Sequence, residues 1–176
     1  VQTCALPILQ AYLNDKFVVS ALFSRDIYVI SPEGRRIAEL PLRQGIGKDY
    51  SNSPYVRQVL KTKDLAVVPL IGRFSGQPNL IFAIPILNEK GAVQAILCGS
   101  EGLTPGSHFY ISDILKNGRT GGYHIYSIPQ DVYVASTDPA RVLQPLPKPG
   151  INPLLDRRRS ENYTAFDLTV DSRGLE

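Results

Sequence analysis

The 176-residue chain has no methionine and no tryptophan, and only two histidines and two cysteines. Each scarcity closes off a chemistry. His108 and His124 have no Cys, Asp or Glu at ligand spacing, so no metal centre is expected. Serine meets glycine at Gly99-Ser100 and Ser75-Gly76, but the G-x-S-x-G nucleophile elbow is missing. The run GRTGG at Gly118–Gly122 lacks the phosphate-gripping lysine and precedes a strand pattern, so it reads as a turn. No carboxylate pair stands out for acid–base work. Neither a catalytic residue nor a cofactor is therefore expected. No apolar run approaches the length of a membrane span, and no stretch reads as a signal peptide. The net charge is only +3, and the densest basic run, Arg157–Arg159, sits beside Asp156 and Glu161. That is a solvated helix face and argues against nucleic acid as a partner. Cys4 and Cys98 permit one bridge in an oxidising compartment, although Cys98 in its strand pattern reads as a small buried residue. The missing methionine and the start at Val1 suggest a fragment or a processed form.

What is present is dense in local signals between Asp49 and Leu103. Ser53 stands where a capping hydroxyl would, and Pro54 follows at the first helical position, where its missing N–H costs nothing. Tyr55, Val56, Val59 and Leu60 give one apolar face at helical spacing. Ala66–Ile71 and Asn79–Leu87 are short, apolar and rich in branched residues, with the turn cluster FSGQP between them, so they read as a hairpin. NEKG (Asn88–Gly91) is a second turn, and Ala92–Cys98 a third strand. Pro69 and Pro85 cannot donate to a ladder, which predicts edge or bulge positions for both. Upstream, Thr3–Lys16 has a helical pattern, and Ile27–Ile30 with Arg36–Leu40 forms a hairpin across SPEG. Leu42–Asn52 is a loop. Thr104–Ser107 is a break, and Ile111–Lys116 a short linking helix.

A weak internal repeat follows. DIYVISPEGRRIAE is echoed by YHIYSIPQDVYVAS at Tyr123–Ser136 as strand, turn, strand. The proline-rich stretch Asp138–Asn162 reads as loop with a short helix around Pro153–Arg159. Tyr163–Val170 alternates as a strand, and DSRG (Asp171–Gly174) is a turn without a return strand.

The order of these signals resembles a double Cache domain, the tandem PAS-like sensor of bacterial receptors. GKDYSNSPYV, the hairpin ending in AIPIL and the GAVQAIL strand carry the likeness. DIYVISPEGRRIAEL resembles the family's first hairpin, and NGRTGGYHIYSIPQDVYVASTDPARVL the start of a membrane-proximal module. The resemblance implies an α+β fold of two PAS-like modules, each an antiparallel sheet flanked by helices, with the second truncated. Residues 1–26 would be a helical lead-in, 27–110 the membrane-distal module and 111–176 part of the membrane-proximal one.

It also implies a function: extracytoplasmic sensing of a small molecule, relayed to a cytoplasmic diguanylate cyclase, histidine kinase or chemoreceptor. The whole protein would be membrane-anchored, and a homodimer is compatible. The ligand would lie between the sheet and the loops and helix on one face, against Tyr50, Ser53, Tyr55, Arg73, Ser100 and Glu101. Amino-acid-binding members carry an arginine just before the Pro-aromatic step and an aspartate at the end of the last strand. Here Ser53 and Ser100 occupy those places, which points away from a free amino acid and toward an organic acid held by Arg73, or no ligand. Two other classes remain open: a small hydrolase or transferase pairing His124 with Asp131 or Asp138, and a structural dimerisation module.

Overall fold

The computed structural model describes residues 5–15, 22–109 and 123–161. The expected helix at Ile111–Lys116, the strand at Tyr163–Val170 and the DSRG turn lie outside the described residues. Helix α1 covers Ala5–Asp15. Strands β1 (Asp26–Ile30) and β2 (Arg36–Leu40) form the first hairpin. Helix α2 spans Pro54–Thr62, followed by β3 (Ala66–Ile71), β4 (Pro78–Leu87) and β5 (Val93–Gly102). The later part has β6 (His124–Ser127), β7 (Val132–Ser136), a 3₁₀ turn at Pro139–Arg141 and α3 (Pro153–Ser160).

The main sheet is five-stranded and antiparallel, in the order β2-β1-β5-β4-β3. β5 sits at its centre and pairs with β1 on one side and β4 on the other. It runs to Gly102, four residues past the Cys98 that its apolar pattern predicts. Both prolines behave as their missing donors require. Pro69 lies on the edge strand β3, and Pro85 lies in the part of β4 that extends beyond β3 and pairs only with β5. The opposite edge, β2, is covered by Gln10 of α1. Its amide nitrogen donates to Glu39 O at 2.8 Å, and its oxygen accepts from Glu39 N at 3.0 Å.

Alternation along the strands gives the sheet two apolar faces. One packs Tyr28, Ile30, Ile81, Ala83, Ile96 and Cys98 under Tyr55, Val56 and Val59 of α2. Leu60, expected on that helix face, is half-exposed. Cys98 is unbridged and buried, and burial pushes its thiol pKa up. The other face packs Ile27 and Val29 against Leu13 of α1, and Leu80 against Leu103 and Val134 of β7. The sheet is thus the middle of three layers. β6 and β7 form the second strand–turn–strand unit that the repeat predicts, with Tyr133, Leu146 and Leu155 as its own small core.

Candidate ligand-binding site

Above the α2 face of the sheet, where β1, β5 and β4 end beneath the β2–α2 loop and the β3–β4 turn, lies a cavity of about 510 Å³. This is the size of a small-molecule site. Tyr50, Ser53, Tyr55, Arg73 and Ser100 all line it. Glu101 does not. Ser100 and Glu101 are consecutive on one strand and must face opposite ways. Glu101 is buried on the far side, where it accepts from Ser24 N at 2.6 Å and from His108 N at 2.8 Å, with His108 Nδ1 at 3.2 Å. Burial works against its charge, but these donors outweigh it and hold the carboxyl below its usual pKa.

Ser53 sits at the N-cap position of α2 but makes no cap bond with its side chain, and its residue contributes to the cavity wall instead. Deeper in, Tyr28 Oη donates to Tyr55 Oη at 3.1 Å. Burial raises the pKa of both phenols, so they stay neutral.

The sequence pattern does not mark Arg36, which organises this wall. It is 5% exposed, with its guanidinium 4.0 Å above the Tyr28 ring and 3.3 Å from Tyr50 Oη. Asp26 pairs with its Nη2 at 2.5 Å, and Glu39 Oε2 lies 2.9 Å from Nε. That Nε–H does not point at the carboxylate and has no aligned acceptor. Burial opposes the charge, yet Asp26 and the hydroxyl of Tyr50 keep the guanidinium more firmly protonated than an ordinary arginine. Glu39 also accepts from Arg43 N and Gly45 N at 2.7 and 3.0 Å, so it ties the loop after β2 to the sheet.

The rim has a different character. Phe74, on the β3–β4 turn, meets Tyr50 edge-on at 5.7 Å and carries Lys48 Nζ 3.9 Å over its ring. Arg73 Nη1 donates to Asp49 O at 2.8 Å, bridging the turn to the loop. Arg25, Arg43, Lys48 and Arg73 line the cavity, and the acidic lining residue, Asp26, is already paired with Arg36. Period-two alternation from Tyr28 back to Asp26, and the cluster Arg43, Lys48 and Arg73 in two loops, were the available signals for these residues.

Elsewhere, His124 Nδ1 lies 2.9 Å from Ser136 Oγ, which also accepts from Asp138 N. Ser136 is 1% exposed, so its hydroxyl is closed to a substrate, and the contact with the exposed His124 ties β6 to β7.

No protein-family model matches the chain, and no curated protein matches it. Solved structures do. The sensor domain of the V. cholerae histidine kinase DctB superposes with a TM-score of 0.59 at 21% identity, covering 92% of this chain and 60% of that one. A domain of a sensory box/GGDEF family protein from Vibrio parahaemolyticus gives 0.52 at 17%, over 78% of this chain and 56% of that one. The ligand-binding domain of the Pseudomonas aeruginosa PAO1 amino acid chemoreceptor PctC, solved with GABA, gives 0.52 at 18%, over 70% and 57%. The chain spans under two thirds of the length of each of these three domains. At these identities the likeness is one of fold: the chain has the Cache-type, PAS-like fold of bacterial sensor domains.

Proposed function

We propose that this chain is the ligand-sensing part of an extracytoplasmic bacterial receptor, and that it takes a small organic anion into the cavity beneath Arg73 and Phe74. The observation that carries the reading is the charge of the lining: four cations without an acidic partner in the cavity, Arg25, Arg43, Lys48 and Arg73, against one carboxylate already paired. A guanidinium and an ammonium on one rim suit a carboxylate, and the aromatic wall of Tyr28, Tyr50 and Tyr55 gives contact area at low entropic cost. The role is binding, not turnover. The output would be a diguanylate cyclase, a histidine kinase or a chemoreceptor; among the similar structures DctB is a histidine kinase, PctC an amino acid chemoreceptor and the third a sensory box/GGDEF family protein. Periplasmic placement and a membrane anchor complete the proposal. No helix among the described residues is long and apolar enough to cross a membrane. A ligand would signal by its differential affinity for two states of the domain.

Thermal denaturation against an organic-acid panel tests this. A ligand at a hundred times its Kd adds about 2.7 kcal/mol, roughly 5–11 °C in Tm for a domain of this size. Arg73→Ala removes the shift and leaves the unliganded Tm nearly unchanged, because its bond to Asp49 O is exposed. Tyr55→Ala lowers both, since the ring is also core. A panel without any shift, or a full shift retained in Arg73→Ala, refutes the reading.

A further inference from the structure

The floor of the cavity has the opposite polarity to its rim. Asp26 and Ser100 are cross-strand partners on β1 and β5, so their side chains stand together on the cavity face. Asp26 gives Oδ2 to Arg36, while its Oδ1 accepts no hydrogen bond among the described residues. Ser100 is 3% exposed and lines the cavity, and its hydroxyl has no hydrogen-bond partner among those residues. Arg36 is also shared with Glu39, so one guanidinium faces two carboxylates and the group keeps an excess negative charge. Glu39 directs its oxygens at Arg43 N and Gly45 N, which leaves Asp26 as the carboxylate on the cavity.

We infer that the ligand is an anion that also carries a hydrogen-bond donor, a hydroxyl, amide or ammonium, opposite its anionic group, and that Asp26 with Ser100 selects it. The inference rests on the anion-binding reading above and narrows its ligand class. An ionised carboxylate only accepts hydrogen bonds. A donor from the ligand therefore satisfies Asp26 Oδ1, whereas a second ligand carboxylate brings acceptor against acceptor and like charge against like. A methyl group at that place desolvates the oxygen without replacing its bond to water. A site built around a polar group rejects the analogue that cannot complete it.

The test uses the whole chain and straight-chain monocarboxylates of three to six carbons, each ending in a methyl, a hydroxyl, an amide, an ammonium or a second carboxylate. Calorimetry measures Kd for every member. At the best chain length, the donor-bearing forms bind about ten- to hundredfold more tightly than the methyl and dicarboxylate forms. Asp26→Asn keeps an oxygen for Arg36 and adds a donor, so it lowers the preference for ammonium and raises the relative affinity of the dicarboxylate. Ser100→Ala, which leaves the ion pairs intact, weakens the discrimination if Asp26→Asn does not fold. A dicarboxylate or methyl form that binds as tightly as the donor forms overturns the inference and leaves the anion reading standing. Unchanged ratios in both variants also overturn it. If no member binds, it falls together with the reading on which it rests.

Discussion

Arg36 is the residue on which the cavity wall most depends. Its charge is removed from water and compensated by Asp26, Glu39 and the faces of Tyr28 and Tyr50. Removing one member of such a group strands the others: Arg36→Ala leaves two carboxylates together on the sheet. The expected loss is about 3–5 kcal/mol, read as a lower urea midpoint with an unchanged slope. A loss under about 1 kcal/mol would mean that the group is solvated and the wall is not held this way.

Glu101 makes a second prediction at this scale. Its folded-state pKa is lowered, so the stability it contributes is fully present above the ordinary glutamate value of 4.5 and is lost as pH falls through the depressed value. Glu101→Gln is therefore less stable than wild type at neutral pH, and the gap closes on acidification. A gap that stays constant from about pH 7 to pH 3 would show that the carboxylate is not the species held by Ser24 and His108.

At the scale of elements, the first hairpin depends on one backbone position. Gly34 has φ +86°, and a Cβ there would stand 2.5 Å from Ser51 Cα. The same glycine accepts from Tyr50 N at 2.7 Å, so the β1–β2 turn seats the loop that delivers Tyr50 to the cavity. Gly34→Ala pushes turn and loop apart and costs about 1–3 kcal/mol for the strain alone. It also weakens binding of whatever anion the panel finds, although residue 34 does not line the cavity. Retained stability and affinity in this variant would show that the loop is seated by other contacts. Helix α2 makes a related point: its apolar face and Pro54 are local signals, but Ser53 makes no side-chain cap bond although it sits at the N-cap.

For the molecule as a whole, stability should be uneven. β4 and β5 pair over nearly their full length in the middle of the sheet, with cores on both faces. β6 and β7 pair only with each other among the named strands. Amides at Ile81–Ala83 and Ile96–Cys98 should open only with the whole domain, and those at His124–Ser127 by local opening at least about 1.4 kcal/mol lower, a tenfold difference in exchange. Equal protection by native-state hydrogen exchange would mean that the two sheets unfold as one unit. An anion that stabilises the cavity should raise protection on the central strands first and leave the β6–β7 hairpin the least changed.

The sequence by itself determined the elements and their order. Prolines at strand edges, branched runs between turn clusters and the Tyr55–Val59 spacing are local, and a local signal survives without tertiary contacts. The PAS-like fold was legible for that reason, and five of the six residues expected at the site line the cavity. Two facts were decided only by tertiary structure. The first is how far β5 runs: its last residues, Gly99–Gly102, have no apolar pattern and become strand because Asp26 and Asn79 pair with them. That extension turns Glu101 away from the cavity. The second is the polarity of the site. Arg36, Asp26 and Glu39 look like ordinary surface charges along the chain, and Lys48, Arg73 and Phe74 come from loops far apart in sequence. Folding buries the first three as one network and gathers the others on one rim, because charge compensation depends on distance in space and not along the chain.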